Sequence, residues 1–207
     1  MSTISVENGY LSLFNIFHTD GPEIQQRLFD RWRSLPPGNT DPGLVAGNFH
    51  RSFDGRSVIN YGQWESQDQY DAFLRKPASQ NNKNEALTYA RAESLRSEVV
   101  YASNPVPELS LDKPRFTVVA VVKTPPESHL QVLKTMSRED PELADTPGYV
   151  SHAVHRELNG PHVVKYAQWE DEESFRSFAK QPAATPPFGA EVTADLYFCS
   201  LEYIRSR

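Results

Sequence analysis

The sequence contains the same unit twice. Residues 43–73 (GLVAGNFHRSFDGRSVINYGQWESQDQYDAF) align without a gap on 148–178 (GYVSHAVHRELNGPHVVKYAQWEDEESFRSF), so that Gly43 meets Gly148 and every later residue its counterpart 105 further on. His50/His155, Arg51/Arg156, Gly55/Gly160, Tyr61/Tyr166, Gln63/Gln168, Trp64/Trp169, Glu65/Glu170 and Phe73/Phe178 are identical pairs. A fixed self-similarity means that one structural unit is built twice. The same spacing carries the apolar run 10–17 onto 115–122 and Leu28 onto Leu133. This defines repeat 1 over 1–104, a proline-containing linker over 105–114 (PVPELSLDKP) and repeat 2 over 115–207.

Within each copy the periodicity predicts strand, helix, strand, strand, helix, strand. Residues 10–18 and 115–123 are short and rich in β-branched or aromatic residues, and Gly21-Pro22 or Pro125-Pro126 soon follows. Ile24, Leu28 and Trp32 recur at helical spacing over 22–34, as Leu130, Leu133 and Met136 do in the second copy. Strands over 44–53 and 57–65 meet at Asp54-Gly55, with Asn159-Gly160 at the equivalent hairpin. Ser66 and Asp171 stand at N-cap positions of the second helices, and 97–103 and 195–204 read as closing strands. The order βαββαβ is the split βαβ, or ferredoxin-like, unit. Two such α+β repeats in one chain are expected to cover each other's open sheet face as a pseudo-dimer of the dimeric α+β barrel type.

Composition narrows the partners. The 207 residues carry 21 Lys and Arg against 27 Asp and Glu, a net charge of −6, and no basic block to follow a phosphate backbone. Nucleic acid is not expected as a partner. Mean hydropathy is −0.58, and no apolar run approaches the roughly 20 residues that span a bilayer, which predicts a cytoplasmic chain without a membrane partner. The single cysteine, Cys199, permits no internal disulfide or Cys-x-x-Cys pair. His152 and His155 are three apart on a strand and face opposite ways, so they form no metal pair. The acidic run 170–173 opens a helix, where negative charge suits the dipole, and no phosphate-cradling glycine motif occurs.

Strand alternation places Val58, Asn60, Gly62 and Trp64 on one face, with Gly62 leaving room for a flat ligand between the amide and the indole. Asn15 shares its face with Leu11, Leu13 and Phe17, where an amide must find a partner in the protein or in a ligand. His50 and His155 suit either a structural hydrogen bond or a functional role. Arg51 and Arg156 face away from them, toward a sheet interface or a salt bridge with Glu65 and Glu170.

The strand end Asn60-Tyr61-Gly62-Gln63-Trp64-Glu65-Ser66, its counterpart Tyr166-Ala167-Gln168-Trp169-Glu170 and the preceding His50-Arg51 and Asp54-Gly55 resemble the antibiotic biosynthesis monooxygenase family. The resemblance covers both halves. It implies a cofactor-independent monooxygenase that oxidises an aromatic polyketide phenol or anthrone to a quinone, with O₂ as co-substrate and no metal, flavin or haem. It assigns catalytic roles to Asn15, Asn60, Trp64 and His50 and places Tyr70 at the substrate, to which the strand-face pattern adds Gly62 and Phe17 as substrate-binding residues. The second copy departs from the pattern, with Ala120 for Asn15, Lys165 for Asn60 and Phe175 for Tyr70, which makes repeat 2 the structural partner of a catalytic repeat 1. The same resemblance admits a ring-cleaving oxygenase using reduced flavin, or a non-catalytic ligand-binding or stress protein. A further homodimer is also compatible with it.

Overall fold

The computed structural model describes residues 1–35, 41–138, 140–181, 184 and 188–206. In chain order the elements are β1 (Ser2–Thr3), β2 (Leu11–His18), α1 (Pro22–Arg33), β3 (Leu44–Ser52), β4 (Ser57–Trp64), α2 (Gln67–Leu74), α3 (Pro77–Leu87) and β5 (Arg91–Ala102). They continue as β6 (Glu108–Leu109), β7 (Phe116–Lys123), α4 (Pro126–Met136), α5 (Pro141–Ala144), β8 (Tyr149–Glu157), β9 (His162–Trp169), α6 (Glu172–Ala179) and β10 (Thr193–Ser206). The chain divides into two compact units, Gly9–Ser97 with Leu201–Arg207, and Glu98–Ser200 with Met1–Asn8. Each is an α+β, ferredoxin-like unit, and β5 and β10 supply residues to both.

In the unit built on repeat 1, β3, β4, β2 and β5 are neighbours in that order and antiparallel. Apolar residues of α1 cover one sheet face, with Leu28 and Phe29 fully buried against Phe49 and Val58. Each such side chain contributes about 1.5–3 kcal/mol of burial. The helix is turned slightly from the Ile24–Leu28–Trp32 stripe that the periodicity suggests. Gln25 is buried with its amide satisfied: Nε2 donates to the carbonyls of Ser57 (2.7 Å) and Ser52 (3.1 Å) at the strand ends of the β3–β4 hairpin. In that hairpin Gly55 has φ +77°, and a Cβ there would lie 2.8 Å from Pro22, so only glycine lets the turn approach α1.

Three elements differ from expectation. The single second helix of repeat 1 is two helices, because Pro77 lacks an N–H and disfavours helical backbone at Lys76, so α2 ends at Leu74 and α3 starts afresh. The closing strand expected at 97–103 begins at Arg91, since its first residues carry charge on a solvent face and show little apolar alternation. The stretch 105–114 is not only a linker: Glu108–Leu109 pairs with Ser2–Thr3, anchored by fully buried Ile4 and Leu109.

In the unit built on repeat 2, β8, β9, β7 and the first half of β10 are antiparallel neighbours. Asp171 caps α6 by accepting from the Ser174 amide, as Ser66 caps α2 by accepting from Gln69. The repeats share one irregularity, a register shift between Leu44 and Ala46 on β3 and between Tyr149 and Ser151 on β8. A bulge of this kind re-aims the side chains beside it. No helix among the described residues is long and apolar enough to cross a membrane.

Candidate functional site

Register assembles the first-repeat site. Asn15 on β2 lies directly across from Asn60 on β4, and the same row continues to Phe49 on β3 and Ser94 on β5. The next row holds Leu13, Gly62 and Gly47, and the one after it Leu11, Trp64 and Leu44. Cross-strand neighbours on one face stand about 4.5–5.5 Å apart at Cβ, so two amides face the same space. That space is a cavity of about 110 Å³ whose walls include Asn15, Asn60, Gly62, Trp64 and Tyr70.

The polar groups around it differ in how they are held. The Ser94 hydroxyl donates to Asn15 Oδ1, which leaves the Asn15 Nδ2 hydrogens to serve as donors. Asn60 Oδ1 is buried and has no partner among the described residues. Removing the Cβ at 62 keeps the indole N–H in view, because an added methyl would sit 3.7 Å from Trp64 Nε1, and at Gly47 it would sit 3.6 Å from Asn60 Oδ1. The Trp64 ring packs 5.3 Å from Tyr70 and 4.8 Å from Phe73. Burial pushes the Tyr70 phenol up from its usual value, so it stays protonated, while the Arg96 charge and the Ser94 hydroxyl act the other way. At the rim Asp41 pairs with Arg205 at 3.0 Å and with Lys76 at 3.5 Å.

Two of the expected site residues stand elsewhere. His50 is cross-strand from Ile59 and therefore on the face opposite Asn60; its Nδ1 lies 3.1 Å from the Asn48 carbonyl and 3.3 Å from that of Ile59. Burial lowers its pKa to about 4 against the raising effect of those carbonyls, so the ring is neutral near pH 7. Phe17 packs under α1, 5.1 Å from Trp32. Arg51 and Arg156 take partners other than Glu65 and Glu170, which sit past the far ends of β4 and β9: Arg51 meets Glu202 at 3.5 Å, and Arg156 pairs with Glu98. Ser94 and the Asp41–Arg205 pair were not visible as site residues in the sequence. Ser94 falls on the part of β5 that apolar periodicity does not mark.

The second repeat has a cavity of its own, about 1240 Å³. Where the first has Asn15, Asn60, Gly47 and Leu44, it has Ala120, Lys165, His152 and Tyr149. Among the described residues, no three His, Cys, Asp or Glu side chains gather as a metal-ligand group.

Comparison with known proteins agrees with this architecture. A tetracenomycin-F1 monooxygenase of Streptomyces glaucescens is 31% identical over 104 residues, 49% of this chain and 92% of that protein. The chain belongs to the antibiotic biosynthesis monooxygenase family. The family profile, antibiotic biosynthesis monooxygenase, matches residues 115–185. Among solved structures, an anthrone oxidase-like protein superposes with a TM-score of 0.86 at 20% identity, covering 99% of this chain and 96% of that one. An uncharacterized ferredoxin-fold protein related to antibiotic biosynthesis monooxygenases from Listeria monocytogenes gives 0.52 at 15%, covering 92% and 94%. At these identities the structural likenesses establish the fold of this family member and not its reaction.

Proposed function

We propose that this antibiotic biosynthesis monooxygenase oxidises a phenolic or anthrone ring of an aromatic polyketide to a quinone, with O₂ and without a cofactor, in the cavity of repeat 1. The observation that carries the reading is the unpartnered Asn60 Oδ1. A buried acceptor left without a bond costs about 1–3 kcal/mol, which a substrate O–H restores on binding. Cavities of about 150 Å³ take a benzene ring, so a volume of about 110 Å³ suits the reacting edge of one ring, with the remaining rings toward the opening.

The Asn60 amide serves both protonation states of a phenol. Oδ1 accepts from the neutral O–H, and Nδ2 donates once the proton has left. Asn15 Nδ2, fixed by Ser94, supplies a second donor to the same oxyanion, each such donor being worth about 2.7–4 kcal/mol when well aimed. The electron-rich anion passes one electron to O₂, the radical pair combines into a carbon-bound hydroperoxide, and loss of water leaves the carbonyl. One oxygen atom ends in the quinone and the other in water, and the substrate supplies all the electrons required. Trp64 Nε1–H and the protonated Tyr70, which also line the cavity, would donate to the peroxide oxygens.

The test is incubation of chelator-treated protein with anthrone or 1,5-dihydroxynaphthalene, aerobically and anaerobically, following quinone absorbance and O₂ uptake. The expected result is O₂-dependent quinone formation above the uncatalysed rate and unaffected by the chelator. Absence of turnover, or turnover only with added reduced flavin, would overturn the reading.

A further inference from the structure

We infer that the cavity of repeat 2 is a separate binding site for a planar aromatic anion, an aryl carboxylate or ionised polycyclic phenol, with Lys165 as its counter-ion. This goes beyond the oxidation assigned to repeat 1 and does not depend on it.

Position on the sheet comes first. Lys165 lies on β9 directly between Val154 of β8 and Ala120 of β7, so its immediate cross-strand neighbours on that face are apolar. Its side chain lines the cavity, and none of the ion pairs among the described residues includes it. A largely buried cation that makes no ion pair is costly unless an anion joins it. Asp140 and Glu142 also line the cavity and Arg138 joins them; of these, Asp140 acts on Lys165 by its charge without touching it. Burial lowers the Lys165 ammonium to about 8 and Asp140 opposes that fall, leaving Lys165 largely protonated near pH 7.

A second polar pair faces the same space. His152 pairs across the sheet with Ala167, one row from Lys165, and its Nδ1 lies 2.6 Å from the Tyr149 hydroxyl. Burial, and next the Lys165 charge, lower His152 to about 3, so its ring is neutral. In the tautomer in which Tyr149 donates to Nδ1, the ring proton resides on Nε2 and serves as a donor to an anion.

The opposite end of the cavity is aromatic. Trp169 is four residues along β9 from Lys165, about 13 Å at 3.3 Å per residue, and packs against Phe175 and Phe178 at 5.7 and 5.1 Å. Its Nε1 is buried without a partner. A cation at one end, a ring wall with a free indole donor at the other, and about 1240 Å³ between them match a flat ligand of two or more rings with one acidic group.

Calorimetric titration of the full chain with 2-naphthoate and with neutral 2-naphthamide tests this, alongside thermal melts with each ligand. Wild type should bind one naphthoate at least tenfold more tightly than the amide. Lys165→Met should erase that preference while still binding the amide, Lys165→Arg should restore it, and Asn60→Ala should leave it intact. Equal binding of the two ligands by wild type, a preference surviving in Lys165→Met, or its loss in Asn60→Ala would each overturn the inference. Absence of binding by either ligand would do so as well. Failure of quinone formation with naphthoate binding intact would count against the repeat 1 reaction alone.

Discussion

Two asparagines one strand apart allow the proposed chemistry to be separated from stability by mutation. Asn48 on β3 is fully buried, and its Nδ2 donates to the Tyr61 carbonyl at 3.1 Å. Asn60 on β4 is turned to the cavity with its Oδ1 unpaired. Truncating Asn48 removes this buried hydrogen bond and opens space at a fully buried position, and should cost about 1–3 kcal/mol. In a chain of this size, that corresponds to a fall in Tm of roughly 2–10 °C. Truncating Asn60 removes a buried group that has no partner in the free protein, so Tm should hold or rise slightly. The same change deletes one preorganised donor to the substrate oxyanion and should lower kcat about 10²-fold. The assay pairs steady-state quinone formation with differential scanning calorimetry on Asn48→Ala and Asn60→Ala, kcat being compared below both melting transitions. The reasoning fails if Asn60→Ala keeps a third or more of wild-type kcat, or if it melts as early as Asn48→Ala.

Ser94→Ala frees Asn15 to rotate and should lower kcat about tenfold with KM nearly unchanged, whereas Ser94→Thr, which keeps the hydroxyl, should recover most of the rate. Trp64→Phe retains much of the ring wall against Tyr70 and Phe73 but loses the indole N–H, so turnover should fall by more than the melting temperature would suggest. Gly62→Leu should fill the space between Leu13 and the Trp64 indole and raise KM steeply, read from initial rates against substrate concentration. Acid should unfold the protein early. His50, His152 and His155 are held neutral, with pKa values of about 4, 3 and 3 against 6.5 when unfolded. The unfolded chain therefore binds more protons below pH 6.5, and stability should fall by up to about 4 kcal/mol per pH unit toward pH 4. A flat urea midpoint between pH 6.5 and 5 would refute this.

The repeat carried most of the fold into view, because identical strand ends 105 residues apart fix two copies of one unit whatever the local propensities say. The amide–indole face was equally legible: period-two alternation puts Asn60, Gly62 and Trp64 together, and the register adds Asn15 opposite. What alternation does not carry is which strand lies beside which. Ser94 and Asp41 reach the site through pairing and loop placement, and Ser94 sits in a charged segment whose strand character comes from its neighbour β2 and not from its own pattern. His50 illustrates the converse. It has the residue type of a proton relay, but one step of register turns it to the other face, against backbone carbonyls.

The two cavities show how a duplicated unit diverges while keeping its frame. Trp64 and Trp169 hold the same place, both with aromatic neighbours from the following helix, and both repeats keep the bulge ahead of it. The divergence includes the central rows, where Ala120, Lys165 and His152 stand for Asn15, Asn60 and Gly47. A phenolate held by neutral amides remains a strong electron donor, since the donors stabilise the oxyanion without a full opposite charge. An ammonium in the same position would hold the anion more tightly and lower its tendency to give an electron to O₂. On the proposed reaction, a lysine at the position of Asn60, as at the equivalent 165, would trade reactivity for affinity. On these grounds Asn60→Lys in repeat 1 should strengthen binding of an aromatic anion while suppressing its oxidation, a separation visible as a lower Kd together with a lower kcat. A variant that bound more tightly and also turned over faster would show that charge at this row does not govern the electron-transfer step.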